Sequence, residues 1–271
     1  MAQTVLTTGA NSGIGLASVI ELARKGFDSV GSVRSAAKAK EVSKAAQAAG
    51  VKARTVILDV TDAGGCVKVI DQLKPYGIVN NAGYSATGAI EDIDDDEAHR
   101  VLETMVLVPM RLARLALPHM RKAGGGRIVN ISSIYGLTTT PLTGWYQASK
   151  HAIEALSDAL RMEVAKDGIK VVLIEPGGFK TGIWQEASSG IERHRSSRYQ
   201  EAYRRLESGV KMTQPLMGDP KTVARTVATA MTSHRPRPRY LVGYDAQAIA
   251  WWDLFVPTEV KDRLARISLG L

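Results

Sequence analysis

A single cysteine, Cys66, occurs in the whole sequence. No internal disulfide can form, so a disulfide-stapled fold is excluded and a reducing, cytoplasmic setting is expected. No apolar run approaches the ~18 residues that a membrane-spanning helix needs. The opening MAQTVLTTGA runs straight into a strand-like stretch and shows no leader pattern. Internal repeats and low-complexity linkers are absent, and no metal site is read. Negative charge is in deficit, with 27 Asp and Glu against 35 Lys and Arg, a net +8. That excess raises the question of a nucleic-acid partner. The basic residues are dispersed, however, apart from Arg193-His194-Arg195, Arg204-Arg205 and the RPRPR run over Arg235–Arg239. No basic stripe interleaved with aromatics is present, so nucleic acid is not the expected partner. A basic surface that favours an anionic ligand is.

What is present is an alternation. Strand-like apolar runs occur at Thr4–Thr7, Ser29–Val33, Thr55–Val60, Gly77–Asn80, Arg127–Ile131, Val171–Glu175 and Tyr240–Val242. Helical periodicity lies between them, as at Ile14–Lys25, Ala36–Ala49 and Val101–Met120. Seven short strands separated by helices predict a doubly wound α/β fold with a seven-stranded parallel sheet, a single domain over residues 1–271. Residues 182–218 break the pattern. They are long, polar and helix-prone, and fall where ligands bind in open α/β sheets, beyond the carboxyl ends of the strands. They read as a substrate lid or as a surface excursion. Ile183, Trp184, Tyr199, Tyr203, Leu206 and Met212 either line a site for a bulky hydrophobic substrate or pack the lid onto its own domain. Arg193, Arg195, Arg198, Arg204 and Arg205 would favour an anionic one. The later segment Ala250–Phe255 is apolar enough for a dimer contact, a site wall or a membrane touch.

The stretch WYQASK places Tyr146 four residues before Lys150 at the mouth of a periodic helix. Positions i and i+4 are neighbours on one helical face. A phenol titrates near pH ~10 and is a poor acid or base at neutrality. A cation about 4 Å away, at an effective dielectric of about 20, is worth ~4 kcal/mol and lowers that value by up to roughly three units. The pair then becomes a usable proton donor or acceptor. Taken alone, the spacing reads first as an ordinary surface pair.

The first strand ends in Thr8-Gly9-Ala10-Asn11-Ser12-Gly13-Ile14-Gly15. Three glycines between a strand and a helix let backbone approach a pyrophosphate at a helix N-terminus. The second strand ends in Ser32-Val33-Arg34-Ser35, with no carboxylate where an NAD site carries one. A cation there suits a 2′-phosphate, so the expected cofactor is NADP(H).

TGANSGIG, Asn80-Asn81-Ala82-Gly83, Ser133, Tyr146-x-x-x-Lys150 and Pro176-Gly177 occur in this order. With these motifs the chain resembles the short-chain dehydrogenases/reductases over essentially its full length. LPHMR at 117–121 and RYLVGYDA at 239–246 resemble the branch of hydroxysteroid and retinol dehydrogenases. The resemblance implies Tyr146 as general acid/base, Lys150 as the group that lowers its pKa and bonds the nicotinamide ribose, and Ser133 as partner of the substrate oxygen. Gly9, Asn11, Ser12, Gly13, Ile14 and Gly15 would form the phosphate loop, with Arg34 at the 2′-phosphate. Asp59 and Val60 would meet the adenine, Asn81, Ala82 and Gly83 the riboses, and Pro176, Gly177 and Thr181 the nicotinamide. It further implies a small carbonyl or alcohol substrate, and a homodimer or homotetramer joined through helices starting near Asp94 and Tyr146.

Two departures stand out. The span from Asp59 to Asn80 is short for the family, which predicts trimming at DQLKPYG. Met105 stands where the family carries the asparagine of its catalytic tetrad. That asparagine holds a relay water largely through its backbone carbonyl at a helix kink. Pro109 has no N–H and clashes with the carbonyl four residues back, that of Met105. The expectation is that Pro109 keeps this carbonyl free for the relay. The alternative is that Met105 is core filler and the chain is a catalytically weak NADP-binding sensor or scaffold.

Overall fold

The computed structural model describes residues 2–194 and 196–271, so Arg195 of the basic lid lies outside the described residues. Among these, the strands are β1 (Thr4–Thr7), β2 (Asp28–Val33), β3 (Arg54–Ile57), β4 (Gly77–Asn80), β5 (Gly126–Ile131), β6 (Ile169–Pro176) and β7 (Arg239–Val242). They form one seven-stranded sheet in the order β3-β2-β1-β4-β5-β6-β7, every pairing parallel. The helices in the first half are α1 (Gly13–Arg24), α2 (Ala36–Ala48), α3 (Ala63–Leu73), α4 (Asp95–Leu102) and α5 (Val108–Lys122). Those in the second half are α6 (Gly144–Glu163), α7 (Ile183–Arg193), α8 (Gln200–Thr213), α9 (Pro220–Thr232), α10 (Tyr244–Phe255) and α11 (Thr258–Leu269).

Successive strand residues face opposite sides, and in a doubly wound sheet both sides are dry. Leu6, Ile78, Ile128 and Val171 pack with Ile70 of α3 and Leu112 and Met120 of α5. Their sequence neighbours Val5, Val79, Val129 and Val172 pack on the other side with Leu22 of α1 and Val227 and Met231 of α9. The strand order reverses between β1 and β4, which opens a crevice at the carboxyl ends of those strands.

The expected strand Thr55–Val60 stops at Ile57. Asp59 takes the N–H and hydroxyl of Thr61 at 3.0 and 2.7 Å, so its side chain closes a turn and ends the ladder. The trimming expected at DQLKPYG is a three-residue link. The Lys74 N–H closes α3 onto the Ile70 carbonyl at 2.8 Å with Lys74 in the left-handed region (φ 42°), and β4 starts at Gly77. The expected helix Val101–Met120 is interrupted by a π-turn over Glu103–Leu107. Pro109 offers no N–H to the Met105 carbonyl, and the Val108 N–H bonds Glu103 O instead.

Candidate active site

The glycine turn is docked on the segment after β4. Thr8 Oγ1 accepts the N–H groups of Asn81 and Ala82, each at 3.0 Å. Asn81 Nδ2 donates to the carbonyls of Thr8 and Gly9 at 2.9 and 3.1 Å. Gly9 lies at φ +64°, and a Cβ there would stand 2.9 Å from Ala82 Cα. A Cβ on Gly15 would strike the Gly9 carbonyl oxygen, so the two glycines can approach only without side chains. Ser12 precedes α1 without capping it through its side chain. The first N–H groups of α1 are therefore open to an anion. Gly13, in this loop with Asn11 and Ile14, faces Thr181 at the other side of the crevice.

Arg34 is exposed at the end of β2, and Ser35 next to it caps α2 by accepting the Lys38 N–H at 3.3 Å. The Thr61 bonds, and then the Arg34 charge, hold the Asp59 carboxyl below its ordinary value. Val60 is buried beside it, and its carbonyl accepts the Cys66 thiol at 3.2 Å. Burial pushes that thiol up, away from the thiolate form that reacts as a nucleophile.

Ser133, Tyr146 and Lys150 converge. Ser133 follows β5, where its Oγ accepts the Tyr135 N–H at 3.2 Å and begins a short turn. Tyr146 and Lys150 share one face of the first turns of α6. Lys150 Nζ donates to the Ile131 carbonyl at 2.9 Å and lies 5.5 Å from the centre of the Tyr146 ring. Tyr135 meets the same ring edge-on, centroids 6.3 Å apart. The electrostatics differ from the expectation that the lysine lowers the phenol. Burial pushes Tyr146 up to about 12, against a lowering by its hydrogen bond with Ser133. Burial pushes Lys150 down to about 8, opposed by the charge of Glu154. The ammonium sits over the ring face and is itself costly to keep charged when dry, so desolvation outweighs the pairing.

Met105 lies in the middle of the π-turn with its side chain buried, packed with Ala86, Val101, Tyr84 and Tyr146. A Cβ on Gly83 would come 2.9 Å from its Sδ, so the methionine bridges the segment after β4 and the phenol. Pro176, Gly177 and Thr181 follow at the end of β6. The Gly177 N–H bonds the Val242 carbonyl at 2.9 Å, and that of Gly178 bonds Asp245 Oδ2 at 2.5 Å, which holds this turn against β7 and α10.

A cavity of about 590 Å³ opens between Gly13, Thr181 and the 182–218 segment, lined also by Lys180, Trp184, Gln214 and Met217. Of the expected apolar lining, Trp184 faces it, held by its Nε1 donating to the Phe179 carbonyl at 2.7 Å. Tyr203 instead packs with Ala89, Leu142 and Ile191. Its hydroxyl donates to Asp92 and accepts the Ala89 N–H, both at 2.6 Å. Met212 is 78% exposed. Arg204 and Arg205 both pair with Glu201, at 3.3 and 3.1 Å, so part of the expected basic charge is locally balanced. Sequence reasoning missed Lys180, Tyr135, Glu154 and Glu175. Glu154 stands four residues after Lys150, a helical spacing that places it on the same face. Glu175 immediately precedes Pro176.

A parallel doubly wound sheet, a glycine turn at the switch point and a Ser-Tyr-Lys cluster on the next strand and helix define an oxidoreductase of the dinucleotide-binding class. Residues 3–192 match the family model described as short chain dehydrogenase, and the chain belongs to that family. It is 36% identical over 247 residues to the uncharacterized oxidoreductase YusZ of Bacillus subtilis, covering 88% of each chain. It is 32% identical over 281 residues to retinol dehydrogenase 7 of Rattus norvegicus, covering 95% of this chain and 86% of the relative. A solved structure of a variant of actinorhodin polyketide ketoreductase with NADPH is 26% identical. It superposes with a TM-score of 0.78 over 92% of this chain and 97% of that one. Among the described residues no helix is long and apolar enough to cross a membrane, and no group of three or more His, Cys, Asp or Glu is placed to hold a metal ion.

Proposed function

We propose that this chain is an NADP(H)-dependent oxidoreductase interconverting a secondary alcohol and a ketone or aldehyde, with Tyr146 as the proton-exchanging group. The convergence of Ser133, Tyr146 and Lys150 at the carboxyl end of β5 carries this reading. The cradle that side chains on Gly9 or Gly15 would fill, with the open N-terminus of α1, fits a pyrophosphate held by residues 9–15. Arg34 would take the 2′-phosphate, Asp59 and Val60 the adenine end, Asn81, Ala82 and Gly83 the riboses, and Pro176, Gly177 and Thr181 the nicotinamide. The bound NADPH of the ketoreductase relative supports the same cofactor here.

When bound, the cofactor supplies or accepts the hydride at the carbonyl carbon. The chain's own residues do the rest. The Ser133 hydroxyl hydrogen-bonds the substrate oxygen. Tyr146 gives its proton to that oxygen in reduction and takes it back in oxidation, while Lys150 holds positive charge beside the phenol. Burial keeps the phenol protonated, the form that reduction uses. The Met105 carbonyl, left by Pro109 without an i+4 donor, is the relay point for the proton returning to Lys150. Residues 182–218 act as the lid, and Trp184, Pro215 and Met217 favour a hydrophobic substrate. The exposed Leu107, in the π-turn that continues α4, and Leu156 and Met162 of α6 support a homo-oligomer through the helices starting near Asp94 and Tyr146, which light scattering tests.

The decisive assay follows NADPH oxidation over a panel of aromatic and aliphatic carbonyls. Turnover is expected with at least one, and Tyr146→Phe is expected to lose about 100- to 10,000-fold in kcat with cofactor binding retained. Binding without turnover on the whole panel overturns the enzyme reading in favour of a sensor or scaffold.

A further inference from the structure

One turn along α6 from Lys150 lies Glu154, and the residue before the last of β6 is Glu175. Neither takes part in the reaction as set out above, and both are buried, 6% and 1% exposed. They reach for the same donor. Nε of Arg239, the first residue of β7, lies 3.1 Å from Glu154 Oε2 and 3.2 Å from Glu175 Oε1. A single N–H cannot point well at both. The other end of the guanidinium is engaged, because Nη2 bonds Asp158 Oδ2 at 2.6 Å, and Asp158 also takes Arg161 at 2.7 Å. Glu154 Oε1, Glu175 Oε1 and Ser132 Oγ are buried without a well-formed hydrogen bond. Gly136 leaves them room, since a Cβ there would stand 2.8 Å from Ser132 Oγ and 3.0 Å from Glu154 Cγ.

Two ionised carboxylates around one cation, in a dry pocket where a third carboxylate already uses that cation, repel each other strongly. Like charges sharing a site leave one of them protonated. Burial, followed by the Glu154 charge, pushes Glu175 up to about 8, and burial pushes Glu154 up as well. The groups acting on the pair are Asp158 and Lys150 from α6, Arg239 from β7, and the Ser132 hydroxyl after β5. Of these, Lys150 belongs to the site, and the Glu154 charge is what opposes its loss of a proton.

We propose that Glu154 and Glu175 share one proton at neutral pH and act as positioning residues for Lys150. The single negative charge they hold keeps the buried amine an ammonium, while the shared proton spares the pocket a second charge. This rests on the reading of Lys150 as part of the site, but its test needs no substrate. The full chain is measured with and without NADPH, as wild type, Glu154→Gln, Glu175→Gln and the double variant.

Infrared difference spectra at pH 7 are expected to show the carbonyl stretch of a neutral carboxylic acid in the wild type, lost in both single variants. In each of them the remaining carboxylate has Nε of Arg239 to itself and ionises. With lysine labelled at 13Cε, and Lys150→Met identifying the signal, the Lys150 midpoint is expected to fall by about one pH unit or more in the double variant. In either single variant it is expected to fall by less. A band missing from the wild type, a band lost in only one single variant, or a Lys150 midpoint unmoved in the double variant overturns the proposal. The wild-type spectrum alone keeps it testable should a variant fail to fold. Failure to reduce any carbonyl would overturn the proposed activity and leave these signals unchanged.

Discussion

Lys150 Nζ donates to the Ile131 carbonyl at 2.9 Å, which fastens the first turns of α6 to the last residue of β5 and holds the amine over the Tyr146 ring. Substitution by methionine keeps the length of the stem and removes both the charge and the donor. Lys150→Met is therefore expected to lower kcat by about 100-fold or more, within the range for loss of a positioned acid–base group. Circular dichroism should show the same helix content. Steady-state kinetics on the responding carbonyl substrate provide the measurement, and a wild-type rate would remove Lys150 from the chemistry.

Arg34 is exposed after β2, in the place where a carboxylate would favour an unphosphorylated ribose. A charge-assisted hydrogen bond to a phosphate is worth about 1.5–3 kcal/mol. Arg34→Ala is accordingly expected to weaken NADPH binding by about 10- to 100-fold and to leave NADH binding within about twofold. Fluorescence titration with the two cofactors measures this difference. Equal losses for both would mean that the guanidinium does not read the 2′ position.

Much of this architecture was legible because buried parallel strands are nearly continuous apolar runs. β4 and β5 could be read almost to the residue. β3 was over-read because Leu58-Asp59-Val60 continues a strand-like pattern, and only the bonds from Asp59 to Thr61 reveal the turn. Tyr146 and Lys150 stood out because their i,i+4 spacing carries the chemistry, and Ser133 through the family resemblance. The Arg239 contact with Glu154 was not, because it joins residues 85 apart in sequence. Arg239 looked instead like the end of a solvated basic run. α10 was missed as a helix because its exposed Trp251, Trp252, Leu254 and Phe255 give it no clear polar face.

Pro109 and the π-turn at Glu103–Leu107 make a separate claim about Met105. Pro109→Ala restores an N–H four residues beyond the Met105 carbonyl, which allows an ordinary α-helical bond. The new backbone amide at position 109 is expected to exchange slowly with solvent deuterium, reporting that bond. If the free carbonyl serves the proton relay, kcat should fall by about tenfold, roughly 1.4 kcal/mol of barrier, at unchanged NADPH affinity. A protected amide with undiminished turnover would remove the Met105 carbonyl from the relay. The substitution leaves the Met105 side chain in place, so packing against Gly83 and Tyr146 is not what the experiment perturbs.

The shared environment of Glu175 also makes stability depend on pH in a defined direction. Its carboxyl is pushed from the ordinary 4.5 up to about 8. The folded state then binds more protons than the unfolded state between these two values. Its contribution to stability is fully present below about pH 4.5 and is lost progressively as pH rises through about 8. Lys150 acts in the opposite sense at higher pH. Its amine is pushed from 10.5 down to about 8, so the unfolded state binds more protons in that window and stability recovers as pH rises across it. The two effects meet near pH 8, where a shallow minimum in this part of the profile is expected. Glu175→Gln removes the first effect and keeps the second, so the decline between pH 5 and 8 should flatten while the rise above pH 8 persists. Urea unfolding at pH 5, 6.5, 8 and 9.5, for wild type and variant, separates the two limbs. A wild-type decline between pH 5 and 8 that survives in Glu175→Gln would assign it to a different carboxyl.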